Sequence, residues 1–265
     1  MEELDDLVGE CESDTVPVPK VIKEKVETLK QMLTGNSQAL GRGKIPKEAR
    51  EYRMNNQRRG RAVVFNQINF SSDPKRNGAE TDSKNLTQTL EALGFVVEVH
   101  EDKESNEIES ILKEVQEDDH SDADCVLVVM MTHGDKEGFL YDSRGWKFTP
   151  SKLWTPFTAD LCPSLAGKPK IFLVQACQGN KLDGVVKMSS NNKKFSSYEL
   201  PIHADFLVAT STISGKASLR NTVTGSYFIS AVCEVLEEEA TSEDLLSMLT
   251  EVVRRVATEK PQVLK

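Results

Sequence analysis

A cysteine and a histidine each follow an apolar segment of this sequence, and together they could act as a nucleophile and its base. Cys177 comes shortly after the apolar residues 171–174, and His133 comes shortly after the apolar residues 126–131. A histidine that accepts the thiol proton produces the thiolate, which is the nucleophilic form of cysteine. Cys177 could instead be a small core residue, because free cysteine is among the most buried side chains. The placement of both residues at the ends of apolar segments favours the nucleophile.

The two apolar segments have the character of buried strands. A strand with an apolar residue at every position has both faces covered, as in a parallel sheet with helices on each side. The predicted strands are 62–65, 95–99, 124–132, 171–175 and 205–209. The predicted helices or helical faces are 86–93, 108–115, 228–236 and 245–256. This alternation predicts an α/β fold with a mostly parallel central sheet and helices on both faces, and it puts Cys177 at the carboxyl edge of that sheet.

The composition is that of a globular protein with one substantial core. The chain has 265 residues, of which 38% are hydrophobic and 28% are charged. No apolar run approaches the roughly 18 residues that a membrane span requires, and the acidic start does not resemble a secretory signal. We therefore expect a cytoplasmic protein whose five cysteines are reduced. The net charge of -9 argues against nucleic acid as the main partner, and no metal site or organic cofactor is indicated.

The residues around Cys177 form a motif that points to one family. Residues 175–179 read Gln-Ala-Cys-Gln-Gly, which is the caspase signature when a histidine lies roughly 50 residues upstream, as His133 does. From about Tyr52 to Glu259 the chain resembles the caspases, and its amino-acid sequence is most similar to those of insect executioner caspases. The resemblance implies a caspase-like sandwich fold. It also implies a cysteine endopeptidase that cleaves after aspartate and acts in programmed cell death.

The resemblance assigns roles to the residues of the reaction. Cys177 would attack the peptide carbonyl and form a thioester, and His133 would serve as acid and base. The backbone carbonyl of Pro74 would orient the histidine. The backbone N–H groups of Gly134 and Cys177 would form the oxyanion hole, since the tetrahedral oxyanion needs hydrogen-bond donors.

The resemblance also assigns a pocket for the substrate aspartate. A buried carboxylate favours the fixed bidentate donors of arginine over lysine. The residues that correspond to the family's pocket are Arg76, Gln175 and Arg220. The residues that correspond to its substrate-backbone and subsite positions are Ala217, Ser218 and Leu219. Executioner caspases carry aromatic residues at two of these subsite positions, where this chain has Ala217 and Leu219. We therefore expect a weak or altered preference for the residues that precede the aspartate.

The resemblance divides the chain into four parts. Residues 1–60 correspond to a prodomain or linker, 61–183 to the large catalytic subunit, 184–200 to the inter-subunit loop, and 201–265 to a C-terminally truncated small subunit. Caspases are usually matured by cleavage after aspartates between the two subunits, but residues 184–202 contain no aspartate. We therefore expect the protein to stay a single chain or to be cut only near Asp14.

Partners and alternatives follow from the same comparison. The implied partners are protein substrates with aspartate before the cleaved bond, a second caspase chain in a homodimer or heterodimer, and inhibitor-of-apoptosis proteins. The family's last substrate loop and last strand have no counterpart at the end of this sequence, which would weaken the usual dimer. One alternative is a catalytically weak homologue that acts as a decoy or regulator of another caspase. Another is a nucleotide-binding α/β domain, but the chain has no Gly-x-Gly-x-x-Gly motif.

Overall fold

The computed structural model describes residues 51–177, 205–212, 218 and 220–258. Several predictions fall outside these residues. They are the prodomain and the cleavage site at Asp14, the inter-subunit loop 184–200, and the subsite positions Ala217 and Leu219. The proposed division into prodomain, large subunit, loop and small subunit therefore stays a prediction.

In the part of the chain that the structure describes, five parallel strands form the central sheet, as the alternating pattern predicted. The strands are β1 (Gly60–Asn66), β2 (Phe95–Glu101), β3 (Val126–Met131), β6 (Lys170–Gln175) and β7 (Phe206–Thr210). Their order across the sheet is β2-β1-β3-β6-β7, and every neighbouring pair is parallel. Two short antiparallel pairs lie outside the sheet. They are β4 (Leu140–Tyr141) with β5 (Lys147–Phe148), and β8 (Arg220–Asn221) with β9 (Gly225–Ser226).

Helices cover both faces of the sheet. They are α1 (Ala79–Ala92), α2 (Ser105–Glu117), α3 (Ser151–Trp154), α4 (Tyr227–Glu239) and α5 (Leu245–Thr258), and two short 3-10 turns lie at Thr155–Phe157 and Pro163–Leu165. Helices α1, α4 and α5 share one apolar cluster with one face of the sheet, and α2 and α3 share a second cluster with the other face. The α/β architecture with a parallel sheet and helices on both faces is thus confirmed.

Strand β3 shows why its sequence is apolar at every position. All six of its residues are buried. Val128 packs in the cluster that contains Leu112 of α2, whereas its neighbour Val129 packs in the cluster that contains Leu90 of α1. Since successive strand residues point to opposite faces, a strand covered on both sides must be apolar throughout. No helix within the described ranges is long and apolar enough to cross a membrane.

Candidate active site

The register of the sheet brings His133 and Cys177 to the same edge. Strands β3 and β6 are neighbours, and Met131 at the end of β3 pairs with Gln175 at the end of β6. The pairing continues one step beyond the strands, where the N–H of Thr132 donates to the carbonyl of Gln175 at 3.0 Å. His133 and Cys177 each lie two residues beyond the paired strand ends. Both side chains therefore leave the sheet side by side at its carboxyl edge, as the sequence predicted for Cys177.

Gly134 allows the backbones of the two segments to touch. A Cβ atom on Gly134 would lie 2.4 Å from the carbonyl oxygen of Cys177 and 3.1 Å from that of Phe139. Any side chain at this position would force the two segments apart. The resemblance gave Gly134 a role through its backbone N–H, and the contact with Cys177 is a separate reason for a glycine at this position. Within the described residues, the backbone N–H groups of Gly134 and Cys177 donate no hydrogen bond.

The imidazole of His133 is fixed in orientation and in tautomer. Its Nε2 atom lies 2.9 Å from the carbonyl oxygen of Pro74, and its ring lies 4.6 Å from the ring of Phe70. Because a carbonyl can only accept, Nε2 carries the proton, which leaves Nδ1 of the neutral ring with a free lone pair. Burial, followed by the positive charges of Arg76 and Arg220, lowers the pKa of His133 below its ordinary value of 6.5. The neutral imidazole is therefore the main form at neutral pH, and it can act as a base.

Cys177 differs from the other described cysteines in its exposure. It is partly exposed, and its Sγ lies 3.7 Å from the carbonyl oxygen of Ser218. Cys125, Cys162 and Cys233 are buried, and burial raises the pKa of Cys125 to about 12 and of Cys233 to about 11. Thiols with such high pKa values form little thiolate at neutral pH. The core-cysteine interpretation thus fits those three residues and does not fit Cys177.

Arg76 is a buried arginine, and one nitrogen of its guanidinium has no hydrogen-bond partner among the described residues. Its side chain is only 1% exposed. The Nη1 atom donates to the carbonyls of Gln67 at 2.7 Å and Met131 at 3.0 Å, which fixes the side chain against the ends of β1 and β3. The Nη2 atom is buried and has no hydrogen-bond partner in the described residues. Burial and the nearby charge of Arg220 lower the pKa of Arg76 to about 9, so it remains protonated at neutral pH.

Gln175, Ser218 and Arg220 lie in the same region. Gln175 precedes Cys177 by two residues, is buried, and its Nε2 atom donates to the Ser218 hydroxyl at 2.9 Å. Arg220 is on β8, and burial is the main cause that lowers its pKa. Cys177 interacts electrostatically with both Arg76 and Arg220, and the charge of Arg220 acts on Arg76. All five residues that the sequence singled out for chemistry thus converge, although they come from four different segments of the chain.

Asp82 is a further buried residue of this region that the sequence analysis did not identify. It lies in the first turn of α1, is 1% exposed and interacts electrostatically with Arg76 and Arg220. In sequence it appears among polar residues that precede the first apolar position of the helix, so it resembles an ordinary exposed acid. Its nearness to Arg76 along the chain was the only available signal. Within the described residues no group of three or more His, Cys, Asp or Glu side chains could hold a metal ion.

Comparisons with known proteins identify the family of this chain. Residues 59–264 match the family model of the caspase domain, peptidase family C14. Caspase-1 of Spodoptera frugiperda is 45% identical over 218 residues, which cover 80% of this chain and 72% of the relative. Caspase drICE of Drosophila melanogaster is 40% identical over 220 residues, and the match spans 80% of this chain but only 64% of the relative.

A solved structure extends the comparison to the fold. The crystal structure of Caspase-1 from Spodoptera frugiperda superposes with a TM-score of 0.75 at 45% sequence identity, and it covers 83% of this chain and 86% of the solved chain. The sequence-based expectation of the family is thereby confirmed. This chain belongs to the caspase family.

Proposed function

We propose that this protein is a cysteine endopeptidase that cleaves peptide bonds after aspartate and acts in programmed cell death. The observation that carries the proposal is the guanidinium of Arg76, which is buried within electrostatic range of Arg220 and Cys177 and has no hydrogen-bond partner for Nη2 among the described residues. The cell-death setting rests on membership of the caspase family. The chain spans only part of its curated relatives, so substrates and partners are part of the proposal.

The pocket has an excess of positive charge. Arg76 is buried and Arg220 is half-buried, and within the described residues neither lies within ion-pair distance of a carboxylate. Taking a charge out of water is costly unless a counter-charge and hydrogen bonds compensate it. A carboxylate that accepts from Nη2 of Arg76 would supply both. A short acidic side chain next to the cleaved bond is the ligand that this arrangement favours, and aspartate has that geometry.

The reaction then follows from the groups around Cys177. Its thiol gives its proton to Nδ1 of His133, and Sγ attacks the peptide carbonyl carbon. The oxyanion accepts hydrogen bonds from the backbone N–H groups of Gly134 and Cys177, a contribution worth about 100- to 1,000-fold per donor. The protonated His133 gives its proton to the leaving amine, and the thioester is hydrolysed by a water that His133 activates. General acid–base help of this kind contributes about 100- to 10,000-fold.

A regulatory homologue is the second candidate. It is favoured by residues 184–202, which lack an aspartate for maturation, and by Ala217 and Leu219, which replace two aromatic walls. Such a protein would bind another caspase chain and turn over little substrate. Arg76, Gln175, Arg220, His133 and Cys177 are nevertheless all present, and a decoy does not need them. We therefore favour the enzyme.

Matched peptide substrates test the proposed function. The full chain would be given two fluorogenic peptides that differ only in aspartate or asparagine before the cleaved bond. We expect kcat/KM to be about 10,000-fold higher for the aspartyl peptide, because a site built for a charged hydrogen-bonding group strongly rejects an analogue that lacks it. Equal cleavage of the two peptides would contradict the aspartate pocket. A folded protein that cleaves neither peptide would favour the regulatory homologue.

The titration of His133 gives a separate prediction about the base. In a Cys177→Ala variant, where the thiol cannot couple to the imidazole, the ring C–H signal of His133 in an NMR titration should change with a midpoint below 6.5. The midpoint is expected below 6.5 because burial and the charges of Arg76 and Arg220 disfavour the protonated ring. Replacing Arg220 with glutamine should raise this midpoint. A midpoint well above 6.5 in the Cys177→Ala protein would show that the imidazole is not held neutral.

A further inference from the structure

Asp82 is a buried carboxylate for which the proposed reaction has no role. Its Oδ1 atom accepts the backbone N–H of Ser226 at 2.7 Å, and its Oδ2 atom is buried without a hydrogen-bond partner among the described residues. A buried carboxylate with one unpaired oxygen is costly, so a nearby positive charge must compensate it. The groups that supply this charge are Arg76 and Arg220, both of which lower the pKa of Asp82 against the effect of burial.

Asp82 also connects the two segments that carry these arginines. Arg76 lies in the loop before α1, and Arg220 lies on β8 of the β8–β9 hairpin. Oδ1 of Asp82 sits against Gly225 of that hairpin so closely that a Cβ atom there would lie 2.2 Å from it. Gly225 also has a φ of +95°, which favours glycine. A second contact joins the same elements, since the hydroxyl of Thr81 donates to the carbonyl of Val223 at 3.1 Å.

The charges of the pocket explain why a carboxylate is useful at this place. The two guanidinium groups repel each other, and Arg220 lowers the pKa of Arg76. Burial lowers the pKa of each arginine, and the charge of Asp82 is the main effect that raises it again. With Asp82 ionised, the buried pocket carries one net positive charge, and a single substrate carboxylate neutralises it. Without Asp82, two like charges would remain in a region of low dielectric, where their repulsion is strong.

We propose that Asp82 is a positioning residue of the substrate pocket, which fixes the Arg220 hairpin against the helix that follows Arg76 and sets the pocket's charge to match one carboxylate. This inference rests on the proposed aspartate specificity. It concerns a residue that touches neither the nucleophile nor the peptide carbonyl. Asp82 acts through the two arginines and through the amide of Ser226.

The test measures non-covalent binding, so that catalysis does not enter. The full chain with Cys177→Ala would bind a fluorescently labelled peptide amide that ends in aspartate, and the affinity would be measured by anisotropy. Asp82→Asn keeps an oxygen that can accept from Ser226 but removes the charge. We expect it to weaken binding about 10- to 100-fold at neutral pH, because the uncompensated repulsion between the two guanidinium groups then displaces them from the positions that receive the carboxylate. Glu91→Gln is the matched control in the same helix. Because Glu91 is exposed and acts on neither arginine, its replacement should change the affinity by less than about twofold.

The pH dependence separates a charge role from a merely structural one. Burial raises the pKa of Asp82 to about 6. The parent of this experiment, which is the Cys177→Ala protein with Asp82 intact, should therefore lose affinity for the peptide as the pH falls through about 6 and the carboxylate becomes neutral. In Asp82→Asn this step should be absent, and the two affinities should converge at low pH. His133 is present in the parent and in Asp82→Asn alike, so a step that its protonation causes would remain in the variant. The other groups that face Asp82 are Arg76, Arg220 and the Cys233 thiol. The pKa values of Arg76, about 9, and of Cys233, about 11, lie above this range, and the guanidinium of Arg220 stays protonated as arginine does in proteins.

The outcomes distinguish this inference from the proposed function. Equal affinities of the parent and Asp82→Asn at neutral pH, or a weakened variant that keeps the step near pH 6, would overturn the role of Asp82. If Asp82→Asn does not fold, the pH dependence of peptide binding by the parent tests the proposal. An affinity that stays constant from neutral pH to well below 6 would contradict it. Failure of the aspartate pocket itself has a different signature. In that case the parent would bind the aspartyl peptide no better than the asparaginyl peptide.

Discussion

Replacing Arg76 with glutamine is expected to lower kcat/KM for an aspartyl peptide by about 1,000-fold, since charge-assisted bidentate contacts are among the strongest hydrogen bonds in proteins. The buried Nη2 atom of Arg76 has no partner among the described residues, and a glutamine cannot place a donor or a charge at that position. The asparaginyl peptide gains nothing from the charge. The ratio of the two kcat/KM values should therefore fall towards one.

The control for this variant is an exposed arginine that undergoes the same chemical change. Arg144 is largely exposed and pairs with Glu104 on the surface, so Arg144→Gln should leave kcat/KM and the peptide preference within about twofold of the parent. The thermal unfolding of Arg76→Gln must also be recorded, because Nη1 holds the carbonyls of Gln67 and Met131. An Arg76→Gln protein that unfolds like the parent and keeps its preference for aspartate would refute the assignment of the pocket.

Replacing Cys177 with alanine is expected to abolish turnover, with a loss of at least about 10,000-fold in kcat, as for removal of a nucleophile in other peptidases. No other described cysteine can substitute, because the remaining three are buried and have raised pKa values. The measurement is hydrolysis of the aspartyl peptide at saturating concentration. Binding of the peptide should survive in this variant, since the pocket does not depend on the thiol.

The matched control removes a thiol that lies in the core. Cys162 is buried beside the Ser164 hydroxyl, away from the strand ends that carry the site. Cys162→Ala should lose about 1 kcal/mol of stability for the small cavity and keep its kcat within about threefold of the parent. If Cys162→Ala lost as much activity as Cys177→Ala at equal folded fraction, the assignment of the nucleophile would be wrong.

The sequence predicted the central strands of the sheet well because β1, β3 and β6 are largely buried and therefore apolar at most positions. Strand β3 is apolar at all six positions, and the predicted segments 95–99 and 171–175 match β2 and β6 to within two residues. Helix starts were predicted less well. Helix α1 begins at Ala79, well before the first predicted residue Leu86, because its first turn carries polar residues that have no apolar periodicity. The pairs β4–β5 and β8–β9 were missed, since two-residue strands are too short to show alternation.

The residues of the candidate site also differ in how well the sequence predicts them. The positions of His133 and Cys177 follow from the strands that precede them. Gln175 is two residues before Cys177, and the alternation of strand residues puts the two on the same side. Arg76 and Arg220 came only from the resemblance to caspases, because an arginine in a polar stretch gives no sign that it is buried. Asp82 was missed for the same reason. Its burial arises from the fit of α1 against a hairpin more than a hundred residues away in sequence, and no local pattern records that contact.

Covalent labelling tests the central claim most directly. The full chain, Cys177→Ala and Arg76→Gln would be treated with an aspartyl ketone probe and with its asparaginyl analogue, and the products would be examined by intact mass and by peptide mapping. The account predicts a single adduct of the aspartyl probe on Cys177 of the parent. It also predicts no adduct on Cys177→Ala, greatly slowed labelling of Arg76→Gln, and little reaction with the asparaginyl probe. A folded parent that stays unlabelled, or that reacts equally with both probes, would contradict an aspartate-directed thiol peptidase.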